Sequence, residues 1–585
     1  MKYWLGVALL GVMSGLAIAD QGPATQDQLK MSTSPLAYVR ETQAGNFLAG
    51  QHAQREQDWN TASKYIGRVL DYDPANSELQ KRAMILAMGS GETARAIATA
   101  RKIVATDSSD ALSLMFVALD DFARQDYKGA ISNLSAMPEG SMAEFIRPIL
   151  TSWAKAGMGE LDIAALNNDS PLHAYHALLI SDFLDKTDDD VDAQADKIVA
   201  QSAVDAYELE KIADILARHG KDKKALSFYQ IILKEQPDNE SILAKEKALK
   251  SGTHKASAPT ILTANDGAAE AMFDMGRILF REMSNDSAMV FTRMALHLNP
   301  RLIEGRLLLA HVLSRADRFD EAIDVYLSIA PDSPYYRDAR HSAADLLERD
   351  GKADKAISTL ETLYNETGDV EAVIMIGDLE RRGDKFIDAI NSYNRAEKIL
   401  GKIDDAHWHV HYARGMAYER VDQDDKAEAD LLAALKFRPD HPYLLNYLGY
   451  SWADQGKNLK KSREMIEKAV ALRPDDGYIA DSLGWVLYRV GNYKEAIPHL
   501  ERAVEMLPSD PTINDHLGDA YWQVGRGIEA RFQWSRALHH ADDKTLVADI
   551  QNKIDNGIPL VAEGNDPTRE AKVVEPDSDE TPVKR

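Results

Sequence analysis

The chain has 585 residues, 45% hydrophobic and 28% charged, with a formal net charge of −25 and no cysteine. Without cysteine, disulfides, thiolate metal sites and a cysteine nucleophile are all excluded. The acidity disfavours nucleic acid and anionic membrane surfaces, which need clustered lysine and arginine, and biases the chain toward basic partners.

In chain order, residues 1–19 read as a signal peptide. Lys2 gives a positive start, Tyr3 to Leu16 is almost unbroken apolar, and Ala17-Ile18-Ala19 supplies small residues before Asp20. Cleavage and export are expected. No later segment reaches the ~20 apolar residues a membrane span needs, and no cysteine is present to carry a lipid anchor. A lead-in occupies 20–42. From 43 to 139 a repeat is discernible: Ala62 is accompanied by Leu48, Gly50, Trp59, Ile66 and Pro74, and Ala96 and Ala130 follow at steps of 34 with eroded neighbours. Residues 140–205 keep apolar helical patterning without a clear repeat, and Asp188-Asp189-Asp190 marks a solvated turn that lacks the glycine and glutamate of a calcium loop. One more unit, 206–249, centres on Ala225 with Gly220, Tyr229 and Pro237. The stretch 250–268, containing KSGTHKASAP, reads as a linker joining two segments.

From 269 to 541 the repeat runs unbroken through eight units. Ala288, Ala322, Ala356, Ala389, Ala427, Ser462, Ala496 and Ala530 form one column, mostly 34 residues apart. Around Ala496 stand Leu483, Gly484, Gly491, Tyr493, Leu500, Ala503 and Pro508, and the same types recur around its neighbours. The pattern predicts a helix pair per unit. A glycine and an alanine allow close approach, leucines supply an apolar stripe, and glycine and proline break the chain. One pair cannot bury its own apolar face, so pairs stack into a shared core. Beyond them, Leu546, Val547, Ile550 and Ile554 predict one capping helix over 542–557, and 558–585 is an acidic tail expected to be disordered.

These columns and their period resemble the tetratricopeptide-repeat (TPR) family. The resemblance implies an all-α solenoid, a right-handed superhelix of antiparallel helix pairs, here in two segments. It further implies that the first helix of each pair lines a concave groove. On that register the groove candidates are Tyr412, then Tyr443, Asn446 and Tyr450, then Tyr478, Asp481, Trp485 and Tyr488, then Asp515, Asp519 and Trp522. Tyrosine and tryptophan there offer contact area at low entropic cost, and the aspartates favour a basic segment.

Fingerprints of hydrolases, P-loops and dinucleotide folds are absent. His407 and His411 share a helix face, yet a third ligand is lacking, and His539-His540 sits where the helix dipole favours histidine. The expectation is therefore no enzyme, no metal, no cofactor and no small-molecule substrate, with other proteins as partners. Asp481-Ser482-Leu483-Gly484-Trp485-Val486-Leu487-Tyr488, His516-Leu517-Gly518 and Ala530 to Ala537 are similar to a subgroup of exported proteobacterial TPR adaptors of C-terminal processing proteases. That likeness implies a Gram-negative periplasm, soluble or peripherally associated with the envelope. It also implies a scaffold that presents cell-wall hydrolases to a protease. The alternative is an assembly factor for a polysaccharide-export or secretion machine.

Overall fold

The computed structural model describes residues 42–167, 170–185, 194–198, 205–237, 239–254, 259 and 261–560. The expected signal peptide 1–19, nearly all of the lead-in, the aspartates 188–190 and the tail from 561 lie outside the described residues. Among the described residues every regular element is helical, and no helix is long and apolar enough to cross a membrane. The fold is an all-α repeat of helix pairs.

Each anchor of the repeat is buried in the second helix of a pair, from Ala62 and Ala96 to Ala496 and Ala530. What faces the glycine column is a large side chain, typically sixteen positions later, rather than the anchor alone. A Cβ on Gly484 would lie 2.4 Å from Leu500, one on Gly518 2.4 Å from Trp534, and one on Gly377 2.7 Å from Tyr393. The glycine makes room for a big residue from the second helix, so two helices lock with one knob per pair. Ser462, in place of alanine, keeps the contact and donates from Oγ to the Gly449 carbonyl.

Turns repeat as faithfully. Five residues before most anchors the backbone is left-handed: at Gly91, Gly220, Gly351, Gly491 and Gly525, but also at Gln57, Gln125, Met283, Asp317, Asp384 and Asp422. Between pairs, a proline ends one helix and a residue two positions later caps the next. Asp476 accepts from the Tyr478 N–H at 3.0 Å and Asp510 from the Ile513 N–H at 3.0 Å, each just after Pro474 and Pro508.

The helices fall into two compact units, residues 1–352 and 353–585. This division lies inside the eight-pair array, not at the expected linker 250–268. The reason is that helix Ala264–Arg281 starts within that stretch, under a capping box of Thr263 and Asp266, and packs back within the first unit on helix Ser141–Gly157. The Trp153 ring covers Gly267, where a Cβ would sit 2.3 Å away.

The described part of 140–205, where no clear repeat is visible, joins the first unit through polar groups. Trp153 Nε1 donates to His176 Nδ1 at 3.0 Å, and His176 Nε2 stands 3.3 Å from Asp274. Glu270, buried, accepts from Lys211 at 2.7 Å and from the hydroxyls of Tyr207 and Tyr175 at 3.2 and 3.4 Å. Burial pushes the His176 imidazole down to about 3, so it stays neutral, and burial with the Glu270 charge pushes the Asp274 carboxyl well up.

The second unit runs from helix Ala353–Thr367 to helix Lys544–Asn556. One continuous core spans its last pairs, from Ala453 and Ile466 through Leu483, Leu500 and Trp534 to Ile550 on the final helix.

Candidate functional site

In the second unit, first helices of successive pairs lie side by side: Pro442–Asp454 against Gly477–Arg489, and Gly477–Arg489 against Pro511–Gln523. Their apolar faces go inward through Leu444, Leu448, Leu483, Leu487, Ile513 and Leu517. The positions left over point across the row of helices, and aromatic rings occupy them.

At the upstream end, Trp408, Tyr412, His441, Tyr443 and Tyr447 form one cluster. Ring centroids of Trp408 and His441 are 5.0 Å apart, Tyr412 meets Tyr447 edge-on at 6.0 Å, and His441 lies 5.9 Å from Tyr443. Tyr443 is 41% exposed, Tyr412 and Tyr447 are half-buried, and the Tyr447 hydroxyl donates to Glu419. Burial raises the Tyr412 phenol, and burial with the Glu419 charge raises that of Tyr447, so both remain neutral hydrogen-bonding groups. Half-buried Tyr450 follows one helical turn on; burial and the charges of Asp454 and Asp481 raise its phenol too.

The middle is a stack. Trp485 lies parallel to Tyr488 at 4.9 Å and 9°, and to His516 at 4.0 Å and 14°. His516 Nδ1 is 3.0 Å from Asp481, both groups being buried. Burial works to lower the His516 imidazole, but the charge and hydrogen bond of Asp481 outweigh it and raise the net value. The imidazole thus meets a carboxylate through Nδ1 and an indole through its face, an arrangement that favours its cationic form on both counts. Tyr478, at the start of the same helix, is 59% exposed.

Toward the C-terminus the row is covered. Lys553 of the last helix reaches in and donates to Asp515 at 2.6 Å and to Asp519 at 3.0 Å. Asp519 also accepts from Trp534 Nε1 at 2.9 Å. Burial, then the Asp515 charge, pushes the Asp519 carboxyl up to about 6 despite Lys553. Trp522 Nε1 donates to the Ile558 carbonyl at 2.7 Å, and its ring lies against Gly557.

All eleven sequence candidates therefore lie on adjacent first helices, but in three different conditions. Tyr443 and Tyr478 are exposed, and Tyr412, Asn446, Tyr450, Trp485 and Tyr488 are half-buried, with Asn446 Oδ1 and Trp485 Nε1 lacking a hydrogen-bond partner among the described residues. Asp481, Asp515, Asp519 and Trp522 are engaged by His516, Lys553 and Ile558 of the chain itself. Trp408, His441, Tyr447 and His516 were missed. The register of one face per helix skips them, and His516 stands among other polar residues (Asn514, Asp515, Asp519) that hide it in the sequence.

His407 and His411 do not converge. His407 Nδ1 sits 2.7 Å from Asp404, and His411 Nδ1 2.7 Å from Asp430, which Arg414 also holds. No group of three histidine or carboxylate side chains able to hold a metal occurs among the described residues.

Models of the tetratricopeptide repeat match residues 409–441 and 482–544. A TPR repeat-containing protein of Pseudomonas aeruginosa is 29% identical over 181 residues, 30% of this chain. The match spans only 29% of that protein's length. Among solved structures, the chain is similar to the APC/C hetero-tetramer Cut9–Hcn1 (TM-score 0.37, 14% identity, 89% of this chain and 97% of that one). It is also similar to yeast Tom70 (TM-score 0.27, 13% identity, 88% and 95%). A third is YrrB, a TPR protein with an unusual peptide-binding site (TM-score 0.27, 18% identity, 33% and 97%).

Proposed function

We propose that this TPR chain is a non-catalytic scaffold that holds a segment of a client protein along the first helices of its second unit. TPR folds bind other proteins in general. The observation that carries the reading is the aromatic row from Tyr412 and Tyr443 through Tyr450 to Tyr478, Trp485 and Tyr488, exposed or half-exposed on adjacent helices. Packing within the pairs is done by the Gly, Ala and Leu columns and does not require Tyr443 or Tyr478. Large amphipathic rings left open in a contiguous row mark a contact surface. The residues likened to protease adaptors, Asp481 to Tyr488 and His516 to Gly518, lie in the middle of this row. On that basis the scaffold works in the periplasm, after export directed by residues 1–19, and brings a cell-wall hydrolase to a C-terminal processing protease.

The test is capture from a periplasmic extract by the full chain. Replacing Tyr443→Ala with Tyr478→Ala should weaken capture by ~2 kcal/mol or more, as truncation of interface anchors does. The melting temperature should stay unchanged, because both rings are open. Unchanged capture moves the client surface off this row. A protease together with a hydrolase in the eluate supports the adaptor role, whereas export or secretion subunits overturn it in favour of an assembly factor. Fractionation of cells producing the chain checks its location.

A further inference from the structure

The last helix, Lys544–Asn556, and the strand of chain after it do more than end the solenoid. They lie on the same face that the aromatic row occupies one and two pairs upstream. Their contacts with it are those of a bound peptide: a cation in a carboxylate pair and main-chain carbonyls taking side-chain donors. Lys553 is shared by Asp515 and Asp519, Trp522 Nε1 donates to the Ile558 carbonyl, and Gln523 Nε2 donates to the Pro559 carbonyl at 2.8 Å. Only Ile550 is fully buried on this helix. Leu546, Ile554 and Ile558 are partly buried, and Leu560 is 68% exposed. A terminal helix with one fully buried side chain, held otherwise by partly buried apolar contacts, the Lys553 cluster and the Arg531 Nε bond to the Ile554 carbonyl at 3.2 Å, is among the first elements to open locally.

We propose that the segment 544–560 is an intramolecular occupant of the C-terminal end of the client row, and that a client helix bearing a lysine or arginine displaces it. This rests on the reading of the row as a client surface and adds what its end selects for. Asp515 and Asp519 are 6% and 5% exposed, so their two carboxylates are placed where a cation must accompany them. A neutral segment could not replace Lys553 without leaving that pair unbalanced. Asp515 Oδ1 has no hydrogen-bond partner among the described residues, which leaves an acceptor that a guanidinium fork could use alongside the position of Lys553 Nζ. The occupant in trans is therefore an amphipathic helix with a basic residue facing the row and a short extended stretch after it.

The probe is a labelled synthetic peptide of residues 544–560, titrated against the full chain and two full-chain variants. Lys553→Glu sets a third carboxylate against Asp515 and Asp519. Gly557→Ala acts from the other side, since that glycine has φ +71 and a Cβ there would stand 2.1 Å from the Trp522 ring. Both variants should speed amide exchange over 544–556 and bind the peptide at least about tenfold more tightly than the wild type, in which the tethered segment competes at high effective concentration. A peptide with its own lysine changed to glutamine should lose that gain. If exchange rises but the peptide binds no better, the row does not select basic helices and the proposal falls. If exchange stays slow in both variants, the segment is a fixed cap and the proposal falls as well. Either failure would leave the loss of capture by Tyr443→Ala with Tyr478→Ala standing, so the two readings are separable.

Discussion

His516 and Asp519 each hold protons more tightly in the folded chain than in an unfolded one. Asp481 raises His516 against the effect of burial, and burial with Asp515 raises Asp519 to about 6. Both shifts act in the same direction. The stability they contribute is fully present below the unfolded values, ~4 for the carboxyl and ~6.5 for the imidazole. It is lost as pH rises through the folded ones, because the unfolded state then binds fewer protons than the native state. The second unit should therefore melt at a lower temperature at pH 8 than at pH 5. The change should be on the order of 1–2 kcal/mol, or a few degrees. Differential scanning calorimetry checks this: Asp519→Asn should flatten the lower part of the slope and His516→Gln the upper. Asp430 has the opposite sign, its carboxyl held down by Arg414 and His411 against burial, and it acts below the ordinary carboxylate range. A flat profile from pH 5 to 8 would mean that neither His516 nor Asp519 holds its proton more tightly in the folded chain. None of this was legible in the sequence, because the Asp481–His516 contact spans 35 positions and two helices. The left-handed turns were half legible. Gly491 and Gly525 announce theirs, whereas Met283 and Gln125 take the same conformation with side chains that do not favour it, imposed by the repeat geometry around them.

At the scale of elements, the helix pairs of the array expected over 269–541 are visible as a period in the sequence, and the packing of 140–205 is not. The difference is physical. A repeat announces itself when each unit buries the same apolar and small side chains, as the Gly484 and Leu500 contact does. Helices Ser141–Gly157, Pro171–Phe183, Ala206–Arg218 and Ala264–Arg281 are instead joined by buried polar groups, whose partners are tens of residues apart. Glu270 receives Lys211, Tyr207 and Tyr175 from two other helices, so a period-based reading sees only an acidic residue in an apolar helix. Glu270→Ala should cost ~3–5 kcal/mol, because removing one member of a buried charge cluster strands the others. The loss should appear as faster amide exchange in Pro171–Phe183 and Ala206–Arg218, with helix Lys544–Asn556 in the other unit unaffected. Glu270→Gln, which keeps one acceptor oxygen for a tyrosine hydroxyl and turns its amide NH2 toward the other, should cost less. Equal effects of the two substitutions would mean that the charge of Glu270, and not its hydrogen bonds, holds these helices.

For the whole molecule, stability is a sum of pair stabilities and nearest-neighbour terms rather than the property of one central core. The continuous cluster from Ala453 to Ile550 shows how this works in the second unit, because each second helix is shared by the pair before and the pair after. Damage at one glycine should then spread by steps and fade with distance. Gly484→Leu is the direct probe, since even a Cβ there would stand 2.4 Å from Leu500 Cγ and 3.3 Å from its backbone nitrogen. Overpacking of that kind costs ~1–3 kcal/mol, against a few tenths for an exposed change such as Lys494→Ala. Exchange should rise most in Gly477–Arg489 and Tyr493–Met506, less in the flanking pairs 442–472 and 511–540, and least in helices of the residue 1–352 unit. The client row belongs to the affected pairs. The same variant should therefore weaken capture without altering any aromatic side chain, and a second change that restores the helix contact, Leu500→Ala, should recover both together. Recovery of stability without recovery of capture would show that the row depends on the spacing of its helices more finely than folding does. A uniform rise in exchange along the whole chain would instead mean that the 585 residues unfold as one cooperative body.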